Sequence, residues 1–161
     1  MSLSEISNIL WRERRLLELL AFKLEEERLV LAAGQSRWLS RASNEVDTIV
    51  DELRHVRLER AIGLADLGAE LELSDTPTLR ELATVAPPPW DGICAEHGRA
   101  LEMLCREIEV ITRRAPNAAR ATEPATASGE IDIAAADRSL DDALGGIPDR
   151  SLVLRLVNDE I

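Results

Sequence analysis

The chain contains no tyrosine, one phenylalanine and three tryptophans, so aromatic residues make up only 2% of its 161 positions. Sheets draw on aromatic and β-branched residues, and their scarcity beside abundant Leu, Ala, Glu and Arg argues against a sandwich or barrel and predicts an all-α protein. Cysteine is scarce too, with only Cys94 and Cys105 present. Both fall on one expected helix, where eleven residues rise about 16 Å, whereas a disulfide needs Cα atoms within about 7 Å. No bridge between them is expected, and they read as small core fillers. Long apolar runs are also missing. The longest, Leu29 to Ala33, falls far short of the roughly 20 residues that span a bilayer. The opening MSLSEISNIL carries an acid and no basic region of a secretion signal. The expectation is a cytoplasmic chain with no membrane insertion.

Positive charge is in short supply, with 19 Lys and Arg against 30 Asp and Glu for a net charge of −11. A phosphate-backbone binder concentrates basic residues on one face, so nucleic acid is not an expected partner. Residues 1–115 hold 21 acids against 15 bases, and residues 116–161 hold 9 against 4, so the last stretch carries nearly half the excess. The motifs of catalysis are absent as well: there is no glycine-rich phosphate loop, no CxxC pair, no HExxH and no GxSxG. His97 falls on an apolar helix stripe and reads as a hydrogen-bonded core histidine, while His55 lies between Arg54 and Arg57 and reads as surface. Cys94 and His97 have an i, i+3 spacing, but a structural metal site takes four ligands. No catalytic residue, metal or cofactor is expected.

What the chain does have is a leucine every seven residues: Leu3, Leu10, Leu17, Leu24 and Leu31, with neither proline nor glycine between them. Such a repeat marks one stripe of a long helix. It stops at Gly34, suited to a left-handed helix end, and a second apolar series with 3-4 spacing starts at Leu39 and runs through Ala42, Val46, Ile49, Leu53 and Val56. The pair predicts an antiparallel helical hairpin, with helices at about 4–33, capped by Ser4, and 36–73, capped by Ser36. Gly63 and Gly68 weaken the second helix and predict a bend. Trp11 and Phe22 lie off the leucine stripe and predict a third helix against the first. A short helix at 77–86, capped by Thr76, precedes Pro87-Pro88-Pro89. A returning helix at 89–114 carries Trp90, Ile93, His97, Leu101, Leu104, Ile108 and Ile111 on one stripe and stops at Pro116. With the turn near Gln35, facing residues have numbers that sum to about 70, which sets Glu13 opposite Arg57 and Arg60 as a register-fixing pair.

The core is therefore expected over 1–115, followed by a linker rich in Ala, Thr and Pro at 116–129 and an acidic amphipathic tail at 130–161. In the tail, Ile133, Ala136, Leu140 and Leu144 describe one short helix, and Pro148 to Val157 a second with Leu152 and Leu156 on one side. Neither is long enough to be stable alone in water.

The segments ILWRERRLLELLAFKLEEERLVLAAG and LERAIGLADLGAELELSDTPTLRELATVAPPPW together resemble the FlgN family of flagellar export chaperones, over roughly residues 3–114. The order of elements and the TLRELA helix carry the resemblance. It implies a cytoplasmic, non-catalytic chaperone that binds helical terminal segments of the hook-associated proteins of the hook-filament junction. Such a chaperone prevents their premature assembly and delivers them to the export gate. Two arrangements stay open for the tail: a mobile client-binding face made of Leu140, Leu144, Ile147, Leu152 and Leu156, or a fourth helix packed back on the bundle. The rival reading is a coiled-coil scaffold or regulatory adaptor that dimerises through the leucine stripe.

Overall fold

The computed structural model describes residues 1–120 and 150–158, with side chains at 1–114 and 150–157. Among these residues there are five helices and no strand: α1 (Leu3–Ala32), α2 (Ser36–Glu70), α3 (Leu79–Val85), α4 (Trp90–Arg120) and α5 (Ser151–Asn158). Helix α1 starts from a capping box at Ser2, whose hydroxyl accepts from the Glu5 N–H at 3.3 Å while Glu5 accepts from the Ser2 N–H at 2.7 Å. Ser4 is not the cap because no Glu or Gln stands three residues beyond it. The same rule places the α3 cap at Thr78, which exchanges hydrogen bonds with Glu81, and not at Thr76. Between α1 and α2, Gly34 takes φ +66°. The Gly34 N–H bonds the Leu31 carbonyl and the Gln35 N–H bonds the Val30 carbonyl, closing α1 with a Schellman motif. Gln35, not Ser36, holds the N-cap position of α2.

Helix α2 runs unbroken to Glu70, three residues short of its expected end, because Glu72 turns left-handed at φ 55° and the Leu73 N–H returns to the Gly68 carbonyl. Its glycines serve close approach. A Cβ on Gly68 would lie 2.5 Å from the Pro77 ring, and one on Gly63 would lie 2.3 Å from Met1 Sδ. Helix α4 continues to Arg120 where its end was expected at 114. A proline inside a helix deletes one N–H rung, here the one to residue 112, and the ladder resumes beyond it.

The leucine stripe is spent inside the molecule. Leu10, Leu17 and Leu24 are buried and meet Val46, Ile49, Leu53 and Val56 of α2 in a single core. The middle of the stripe, satisfied internally, is not available as a zipper seam. Helix α1 also packs on α4, whereas α2 and α4 scarcely touch. His97 meets Ser7, and Arg114 lies beside Glu25, so α4 runs parallel to α1. The order is up, down, up, with an open groove between α2 and α4 over α1. The short helices lie on that groove: α3 inserts Leu82 at the end near the chain's start, and α5 inserts Val153 and Val157 nearer the hairpin turn.

Candidate functional site

The groove has a charged floor. Glu13 is fully buried on α1 and accepts from Arg57 Nε at 3.0 Å and from Arg60 Nη1 at 3.0 Å, the pairing that the hairpin register predicts. Burial draws the Arg60 pKa below the ordinary guanidinium value, against the pull of Glu13. Arg57 also donates to the Leu156 carbonyl in the last turn of α5, where helix carbonyls lack intrahelical partners and the dipole favours a cation. At the other end of α5, Arg150 is clamped by acids from both hairpin helices. Its Nε donates to Glu27 at 3.0 Å and its Nη1 to Asp47 at 2.9 Å, while the Ser43 hydroxyl donates to Glu27 at 2.6 Å. Helix α5 is therefore held at both ends and runs antiparallel to α1.

Between α5 and α3 the groove opens into a cavity of about 650 Å³, whose lining runs from Glu13, Arg57 and Cys105 past Leu64 and Leu101 to Leu79, Ala83 and Gly98. Small residues dominate the wall near α3, leaving room for side chains of an incoming element. Burial pushes the thiols of Cys94 and Cys105 up, so they stay protonated and unreactive at neutral pH. Among the described residues there is no group of three or more His, Cys, Asp and Glu able to hold a metal, and no helix is long and apolar enough to cross a membrane.

Of the expected client-binding residues, Leu140, Leu144 and Ile147 lie outside the described residues. Leu152 is half exposed at 51%, and Leu156 is partly buried against the core. The buried pair of α5 is Val153 and Val157, one residue further round the helix. The segment SLVLRLVN offers two apolar pairs at i, i+4, and no property of the segment alone decides which faces inward. The signal that marks Arg150 in the sequence is that it is a base within an acidic tail, three residues before the first buried valine.

On the opposite side of α1, His97 is 2% exposed, with its Nε2 3.3 Å from the Ser7 hydroxyl and its ring 5.1 Å from Trp11 in an edge-on arrangement. Arg14 stacks on the same indole at 4.3 Å. Burial first, and then Arg14, lower the His97 pKa. The folded chain thus resists a proton that the unfolded chain accepts at about pH 6.5. Stability is full above that value, falls as pH drops through it, and levels off below the folded pKa. Melting temperature should decline from pH 7 to pH 5, and His97→Gln should flatten the decline. Equal slopes in the two proteins would contradict this role.

A family model described as FlgN protein matches residues 1–123. No curated protein and no solved structure matches the chain.

Proposed function

The chain belongs to the FlgN family, and from that premise, which carries a flagellar export chaperone role in general terms, we propose that it serves the hook-associated proteins of the hook-filament junction. In this reading it acts in the cytoplasm without catalysis. It holds the helical terminal segment of a junction protein, so that the client does not assemble early, and passes it to the export gate. The observation that carries the reading is the family match over 123 residues, supported by a groove in which an amphipathic helix, α5, is already seated.

The proposal assigns the client-contacting face to Leu140, Leu144, Ile147, Leu152 and Leu156 of the C-terminal segment. Leu152 has the exposure such a role needs. Replacing Leu140, Leu144, Ile147 and Leu152 together by alanine leaves the buried valines of α5 intact. It is expected to weaken binding of a purified hook-associated protein by about tenfold or more, since each deleted side chain removes apolar contact area. Calorimetric titration reads the change, and an unchanged affinity would remove this face from the account.

A further inference from the structure

The geometry points to the α2–α4 groove as an exchangeable socket that reads short amphipathic helices by three features, with α5 as its tethered occupant and the client's terminal helix as the occupant that replaces it, the released segment then meeting the client through its leucine face. The inference rests on the chaperone reading above for the identity of the incoming helix. Its physical content comes from how α5 is seated. A basic residue stands immediately before the first turn, and Glu27 and Asp47 bind it from two helices. Aliphatic residues follow three and seven positions later, at Val153 and Val157, and enter the core at 2% and 1% exposure. The helix ends where Arg57 takes up a free carbonyl, a contact that depends on backbone and is open to any sequence.

These contacts define the partner by chemistry: a helix with a base, then aliphatics at plus three and plus seven, oriented with its C-terminal end toward Arg57. Charge complementarity fixes its direction, because the acids stand at one end of the socket and the arginine at the other. Nothing in the three rules requires the occupant to be this chain's own residues. The helix is only eight residues long, well below the length that is stable alone, so it exists as a helix because the socket holds it. Covalent attachment gives it an effective concentration on the order of millimolar. A competitor therefore needs contacts that α5 lacks. The cavity of about 650 Å³ begins at Arg57, beside the C-terminal end of α5, and reaches α3, so a longer client helix would find room there for further side chains. Own helix and client thus share the socket floor and differ in the cavity.

The test uses the full chain and a fluorescein-labelled peptide of sequence PDRSLVLRLVNDEI. With Val153→Glu and Val157→Glu in the chain, α5 loses its buried pair, and the peptide is expected to bind about tenfold or more tighter than to the unaltered chain, as seen by anisotropy. A peptide with Arg150→Glu should bind neither. A hook-associated protein should displace the labelled peptide from the double variant and should bind it more tightly than it binds the unaltered chain. Should the double variant lose helicity by circular dichroism, Arg150→Glu in the chain carries the same test with a smaller expected gain. Equal peptide binding to both chains, or client binding that leaves the peptide in place, would overturn the socket. An unaltered chain that sediments as a dimer and dissociates on Arg150→Glu would assign the socket to a second copy and overturn client exchange. A client that binds neither chain, with the peptide behaving as expected, would refute the chaperone reading and leave the socket standing.

Discussion

Glu13→Ala should destabilise the chain by about 3–5 kcal/mol, the cost of removing one partner from a buried ion pair. The carboxylate is fully buried, and the side chains of Arg57 and Arg60 are only 6% and 14% exposed. Without Glu13, two like charges face each other over a low-dielectric core with little access to water. Most of the loss comes from guanidinium groups left buried without their shared carboxylate and not from the attraction itself, because desolvation offsets much of the Coulombic gain of such a pair. Replacing all three residues by methionine should therefore recover most of the stability. In a chain of this size the single substitution should lower the melting temperature by roughly 10 °C. A drop of only a degree or two would mean that the arginines reach water when Glu13 is gone, and that the cluster is a rim feature.

Leu17→Ala tests the other half of the scaffold. Leu17 is the central leucine of the seven-residue repeat and has no exposed surface. Truncating a leucine in such a place removes apolar burial and leaves a cavity, at a cost of about 3 kcal/mol. The melting temperature should fall by roughly 6–12 °C. Because the stripe is buried within one chain, the loss should be the same at every protein concentration. A zipper would behave otherwise, its stability varying with protomer concentration by mass action. A concentration-dependent melting temperature in the unaltered chain, abolished by Leu17→Ala, would reinstate the dimeric scaffold.

The hairpin was legible because two independent periodicities agreed across one glycine. The turn at Gly34 sets the register closely enough for residue numbers alone to bring Glu13 to Arg57 and Arg60. The edges were less legible. The caps lie two residues from Ser4 and Thr76: Ser2 has Glu5 three positions on, and at α3 the proline after Thr76 marks a helix start while Thr78 is the hydroxyl at capping-box distance from Glu81. Gly63 and Gly68 looked like weak points, since the sequence shows their missing side chains but not the Met1 and Pro77 atoms that occupy the space. Pro116 looked like a stop because a proline's local cost is visible and the stabilisation of the surrounding helix is not. The site was the hardest part. Arg57, Arg150 and the inward turn of Val153 and Val157 arise from contacts between segments a hundred residues apart, and helical periodicity reports nothing beyond its own helix. What the sequence did carry was the existence of an amphipathic segment near residue 150 and the possibility that it folds back on the bundle.

The central claim is that this chain holds a hook-filament junction protein before export, and calorimetric titration of the purified full chain with purified hook-associated proteins tests it most directly. The account predicts a one-to-one complex of submicromolar Kd with at least one of them, dependent on that protein's terminal helical segment. Failure of every hook-associated protein to give measurable heat or a co-sedimenting complex, at concentrations well above the micromolar range, would contradict it.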